Sequence, residues 1–259
     1  MSYYWIDSHC HMNDKRFLEN FDEYMLRAKE NNVLRSNLVC LNKEDLETSF
    51  ALKERYPNLD ISFGYFPQDC EWVSQKDLDY LEEKIASDKR IKMLGEIGLE
   101  YHYGKETREK QIKLFIKQIQ IANKYDKTIM IHTREASEDT YAILKEYAKT
   151  KVLMHCFSES NEMMKRFLKL GYYISFSGTV TFKNAVTPKE NATICPLDRI
   201  LTETDCPYMA PTPHRGETNE TAFVRFTGEY IASLKGISEQ ELQQHVINNY
   251  EYLIGENNA

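Results

Sequence analysis

Three observations predict an α/β chain folded as a (β/α)8 barrel with a C-terminal helical extension. Short apolar runs alternate with helical stretches eight times over roughly 250 residues, the scale of such a barrel. Several of these runs close on a metal-ligand type of residue: His9 and His11, then Glu96, His132, His155 and Asp205. A doubly wound open sheet would share the alternation, but the chain has no G-x-G-x-x-G turn.

The elements follow in order. Ile6 to His11 reads as a strand, a helix spans about Phe21 to Glu30, and Ser36 to Leu41 is a short buried strand. The next helix runs from Lys43 to Tyr56, stopped by Pro57, and Leu59 to Phe63 is the third strand. A loop through Gly64, Tyr65, Phe66 and Pro67 leads to a helix near Asp77 to Ala86, and a strand from Ile91 ends at Gly95 and Glu96. The strongest helix lies between Thr107 and Lys124, where Ile112, Phe115, Ile116 and Ile119 form one apolar stripe. Strands at Thr128–Ile131 and Lys151–Met154 end at His132 and His155, with a helix at about Glu135 to Lys149 between them. A helix near Asn161 to Leu170, a strand at Tyr172–Phe176, a looser segment holding Pro188 and Pro196, and a strand at Arg199–Glu203 stopping before Asp205 complete the pattern. Helices near Thr218–Leu234 and Ser238–Tyr250 form the extension, the second opened by a capping box of Ser238 and Glu241.

Composition bounds the function. The 259 residues show no linker or composition shift, so the whole of 1–259 reads as one domain. With no basic segment leading into an apolar run and no stretch of about 20 apolar residues, the reading is cytoplasmic, with no membrane contact. Six cysteines without a CxxC pair fit reduced, mostly buried thiols. A formal charge of −7 argues against a broad electrostatic grip on duplex nucleic acid, though bound cations can reverse the local sign.

Strand alternation puts Asp7, His9 and His11 on one face and Cys10 on the other. In a parallel barrel the C-terminal strand ends converge on one mouth, where active sites of this fold sit. A lone histidine there is usually structural, but buried-looking carboxylates such as Glu96 and Asp205 would be costly without a cation. Four imidazoles and two carboxylates suit Zn²⁺, Mn²⁺ or Co²⁺, leave Mg²⁺ possible, and are enough ligands for two ions.

The chain resembles the TatD family of metal-dependent deoxyribonucleases. The matching stretches are D-S-H-C-H (Asp7–His11), G-E-I-G-L-E-Y-H (Gly95–His102), I-H-T-R (Ile131–Arg134), H-C-F-S (His155–Ser158), E-T-D-C-P-Y (Glu203–Tyr208) and A-P-T-P-H-R-G (Ala210–Gly216), in family order from end to end. The resemblance implies a TIM barrel, a centre of two divalent ions (Mg, Mn or Zn) held by His9, His11, Glu96, His132, His155 and Asp205 with Glu96 bridging, and hydrolysis of DNA phosphodiesters. Three positions depart from the family pattern: Phe66 where a histidine is common, Glu100 for an aspartate, and Glu159 for a glycine.

On this reading Asp205 orients the attacking water and takes its proton, Glu203 is an auxiliary carboxylate, and His102 protonates the leaving oxygen. Arg134 and Arg215 contact the phosphate. Tyr101, Tyr103, Phe157, Phe182 and Tyr208 are candidates for stacking an unpaired base, which favours single-stranded DNA ends as substrate. A monomer without an obligate protein partner is expected. Two rivals stand beside the exonuclease: an ester or amide hydrolase with the same centre, such as a D-aminoacyl-tRNA deacylase, and a non-catalytic metal or nucleic-acid binding protein.

Overall fold

The computed structural model describes residues 3–256. Its strands and helices are β1 (Trp5–Cys10), α1 (Lys15–Leu18), α2 (Phe21–Glu30), β2 (Val33–Cys40), α3 (Lys43–Arg55), β3 (Leu59–Phe63), α4 (Gln75–Ser87), β4 (Ile91–Glu100), α5 (Arg108–Lys124), β5 (Thr128–Arg134), α6 (Ser137–Tyr147), β6 (Val152–Met154), α7 (Asn161–Lys169), β7 (Tyr173–Phe176), α8 (Val186–Ile194), β8 (Ile200–Thr202), α9 (Val224–Lys235) and α10 (Glu239–Leu253). The eight strands are parallel neighbours in sequence order, with helices between them. Side chains and loops close the last seam. Thr202 Oγ1 donates to the Ile6 carbonyl at 2.9 Å, and the Asp205 N–H reaches the His9 carbonyl at 2.9 Å. The result is the expected (β/α)8 TIM barrel.

Helix signals largely decided the segments. The stripe on α5 buries Phe115 and Ile119 completely, and the Asn42 side chain caps α3 by accepting from the Asp45 N–H at 2.9 Å. Ser238 accepts from the Glu241 N–H at 3.1 Å to start α10, while the reciprocal capping box forms at Ser74 and Asp77 on α4. Two expectations are corrected. The segment around Pro188 is helical, as α8, because a proline in the first turn removes no intrahelical bond. The ninth helix begins at Val224, since residues 218–220 run extended or as loop into a 3₁₀ turn at Thr221–Phe223.

Below the strand starts, α10 and the segment after it seal the barrel. Asn249 donates to the Leu197 and Ile200 carbonyls, both at 2.9 Å, and Tyr250 is fully buried with its hydroxyl 3.0 Å from Asp60. Of the six cysteines none is in a disulfide; Cys10, Cys40, Cys195 and Cys206 are buried and Cys70 and Cys156 half-buried. Among the described residues no helix is long and apolar enough to cross a membrane.

Candidate metal centre

At the opposite end, β1, β4, β5, β6 and the loop after β8 bring His9, His11, Glu96, His132, His155 and Asp205 together. Glu96 is the hub. Its Oε1 lies 2.9 Å from His132 Nδ1 and 2.8 Å from His155 Nε2, while Oε2 lies 3.6 Å from His9 Nε2 and 3.9 Å from His11 Nε2. Asp205 Oδ1 completes the second group, 3.5 Å from His9 Nε2 and 3.6 Å from His11 Nε2. The His9 and His155 rings stack at 4.0 Å between centroids, so the two groups are contiguous.

Local backbone explains how these side chains meet. The pairing of β1 with β2 slips between Asp7 and Cys10, a bulge that inserts a residue and changes the facing of what precedes it. His9 and His11 therefore both reach the centre. Asp7 does not share their site, contrary to simple alternation: its carboxylate lies within 4.8 Å of the Cys10 and Cys206 thiols and accepts from Thr204 through the backbone N–H (2.8 Å) and the hydroxyl (2.6 Å).

β4 continues through Glu100 rather than ending at Glu96, and its register against β5 slips between Leu94 and Ile97. The flanking glycines are required by this close approach. A Cβ at Gly95 would stand 2.6 Å from Met130 Cβ, and one at Gly98, where φ is +143°, would stand 2.0 Å from the His132 carbonyl oxygen. Cys156 and Asp205 adopt left-handed φ values of 44° and 54°, a strain of about 1–3 kcal/mol for a non-glycine residue that clusters at functional sites.

The outer contacts of the histidines are mostly acidic. His132 Nε2 lies 3.1 Å from Glu100 Oε2, whose other oxygen accepts the N–H groups of His102 (2.7 Å) and Tyr103 (3.2 Å). His155 Nδ1 faces Glu203 Oε1 at 3.3 Å, an electrostatic contact in which neither atom completes an aligned hydrogen bond. The Ser175 hydroxyl donates to the other Glu203 oxygen. His9 Nδ1 instead meets the Met130 thioether at 3.0 Å. Glu100 was not assigned a role from sequence, although it shares strand parity with Glu96 and could have been found that way. Ser175 carried no signal beyond its place near the end of β7.

Charge follows from this packing. Burial raises the Glu96 carboxyl, but the surrounding imidazoles of His155, His132 and His9 outweigh it and hold the pKa well below the carboxylate range. Burial also disfavours a charged His155, yet Glu96 and Glu203 hold its pKa well above the usual histidine value. Burial and then the neighbouring His155 push His9 well below it, and burial raises Glu203. Among the described residues no lysine or arginine pairs with Glu96, Glu100, Glu203 or Asp205. Carboxylates met by imidazoles and neutral donors rather than by cationic side chains are a donor set suited to divalent cations, with acidic partners behind the imidazoles raising their basicity.

The remaining expected residues lie at the rim. His102 is exposed, with Nδ1 2.6 Å from Glu135 Oε1. Arg134 lies over the Tyr103 ring at 4.9 Å and Arg215 over Phe182 at 3.5 Å, both exposed and neither ion-paired among the described residues. Tyr101 and Phe157 are packing residues: the Tyr101 hydroxyl donates to Asp139 at 2.6 Å, and Phe157 is buried against Phe167. Tyr103 and Tyr208 are exposed. Phe66 stands edge-on to the His132 ring at 4.9 Å, an apolar wall beside the centre. Burial pushes the Glu159 carboxyl up.

Comparison with known proteins shows the family and the fold. The family model described as TatD related DNase matches residues 6–255. The chain is 38% identical to the uncharacterized metal-dependent hydrolase YcfH of Escherichia coli K12, over 96% of this chain and 94% of the relative. It is 36% identical to the corresponding YabD of Bacillus subtilis strain 168, over 95% and 97%. The crystal structure of YJJV, a TatD homolog from Escherichia coli K12, superposes with a TM-score of 0.91 at 27% identity, covering 96% of this chain and 97% of that one. From its barrel, its histidine–carboxylate centre and these relatives together, the chain belongs to the TatD family and is a metal-dependent hydrolase.

Proposed function

We propose that this hydrolase cleaves phosphodiester bonds in DNA, trimming single-stranded ends, with two divalent cations at the mouth. The observation that carries the two-ion reading is Glu96. One of its oxygens serves His132 and His155 while the other faces His9 and His11 beside Asp205, the arrangement of a carboxylate shared by two cation sites. Bound Mg²⁺, Mn²⁺ or Zn²⁺ would polarise the scissile phosphoryl group and make water acidic enough to attack at neutral pH.

The chain's own residues do the rest. Asp205 orients the attacking water and accepts its proton. Glu100 and Glu203 hold the His132 and His155 rings in place through their outer nitrogens. Charge building on the phosphoryl oxygens is met by Arg134 and Arg215, which have no acidic partner among the described residues to give up. His102, whose Nδ1 is taken by Glu135 and whose Nε2 has no hydrogen-bond partner among the described residues, returns a proton to the leaving oxygen.

The test is turnover of a labelled single-stranded oligonucleotide by metal-stripped protein resupplied separately with Mg²⁺, Mn²⁺ and Zn²⁺. Metal-restored shortening of the strand is expected. Bound metal without strand cleavage, combined with release of the aminoacyl group from a D-aminoacyl-tRNA, would move the assignment to ester hydrolysis.

A further inference from the structure

On the His11 side of the centre a cleft of about 160 Å³ opens between the end of β1 and the loops after β2 and β8, lined by Asn13, Asp14, Leu41, Asp45, Pro207 and Tyr208 together with His11. It therefore shares a residue with the metal centre. Asn13 is buried and fixed, its amide donating to the Val39 carbonyl at 3.0 Å and to Ser49 Oγ at 3.1 Å. Leu41, Pro207 and the exposed Tyr208 ring supply apolar walls. Whole drug-sized ligands need about 300 Å³ or more, so this volume suits a single ring.

Charge narrows the occupant. Asp14 is neutralised by Arg16, whose Nε and Nη2 reach its two oxygens at 2.9 and 2.7 Å. Asp45 has no cationic partner among the described residues. Its Oδ2 accepts from the Leu41 N–H at 3.1 Å and from Asn42 Nδ2 at 2.9 Å, and its Oδ1 accepts no hydrogen bond among the described residues. A phosphate entering here would meet an uncompensated carboxylate. A flat, uncharged group bearing an N–H donor would meet apolar walls and an unused acceptor.

Resting on the phosphodiesterase reading above, we propose that this cleft holds the terminal nucleobase of the strand being trimmed, and that Asp45 selects bases that present an exocyclic amine. Cytosine offers an N4 amine where thymine offers a carbonyl oxygen, so the two pyrimidines differ in the one group the carboxylate reads. A site with a polar group set to bond a donor rejects the analogue that lacks it, because its acceptor is then left desolvated and unpaired.

The experiment compares kcat/KM for single strands of identical interior that end in dC, in dT or in an abasic site, using metal-loaded full-length protein. Wild type is expected to favour dC ends over dT ends about tenfold, the size of one hydrogen bond to a charged acceptor. Asp45→Asn brings that ratio to within about twofold of one. Because Asp45 also braces the start of α3, Tyr208→Ala is run beside it. It raises KM several-fold more for base-ended than for abasic-ended strands. Equal rates on dC and dT ends in wild type, a preference that survives Asp45→Asn, or a Tyr208→Ala effect that ignores the terminal base each overturn the assignment while leaving strand cleavage standing. Absence of cleavage at every end overturns the phosphodiesterase reading and this one with it.

Discussion

The two ends of the barrel treat buried carboxylates in opposite ways. At the bottom, Asp60 is nearly inaccessible but is met by Arg35 at 2.6 Å, the Tyr250 hydroxyl at 3.0 Å and Lys53 at 3.8 Å. Arg35 also reaches Glu256 at 2.8 Å, which Lys92 contacts at 3.0 Å and which these cations hold at a pKa of about 2. At the mouth, Glu96 and Glu203 are as deeply buried but face imidazoles and a hydroxyl, with no lysine or arginine against them among the described residues. The bottom is neutralised by cations the chain carries itself, and so serves stability. The mouth depends on charge that can leave, whether protons or metal ions, and so can serve chemistry.

Breaking each end separately sharpens this contrast. The largest effect belongs to Glu96→Gln, which removes the shared carboxylate charge; turnover should fall by about a thousandfold or more in protein that circular dichroism shows to be still folded. Arg35→Met should do the reverse. Leaving Asp60 short of its main partner should cost about 3 kcal/mol in denaturant unfolding, with metal content per folded chain unchanged; a loss of bound metal in this variant would erase the distinction between the two ends. Glu203→Gln is milder, since it only loosens the His155 ring, and should weaken ion binding about 10- to 100-fold in a metal titration. The smallest effect is that of pH. Because Glu96 and Glu203 outweigh burial and hold His155 protonated above the usual histidine range, a proton competes with metal at neutral pH. Ion affinity should therefore weaken as pH falls, and binding near neutrality should release protons, seen as a buffer-dependent calorimetric enthalpy.

The same contrast separates what the sequence made legible from what it hid. The barrel and the six mouth residues could be read because each sits where a hydrophobic run stops, and position in a parallel barrel turns that into convergence on one site. Glu100 escapes because the apolar run of β4 finishes at Glu96, whereas the glycines at 95 and 98 let the strand continue against β5. Asp7 was placed on the wrong face because a bulge leaves no trace in strict alternation. The α8 helix was hidden by Pro188, whose first-turn position costs nothing. The bottom network was invisible for a different reason: Arg35, Asp60 and Glu256 are ordinary charged residues far apart in sequence, brought together only once α10 and the segment after it cover the strand starts.

The most direct measurement is the number of divalent ions bound by metal-stripped protein on titration with Mn²⁺ or Zn²⁺ at neutral pH, in wild type and in Glu96→Gln. Two ions per chain in wild type, with at least one lost or strongly weakened in the variant, is the predicted result. A single ion in wild type, or two that bind equally well without the Glu96 charge, would contradict a centre built around one shared carboxylate.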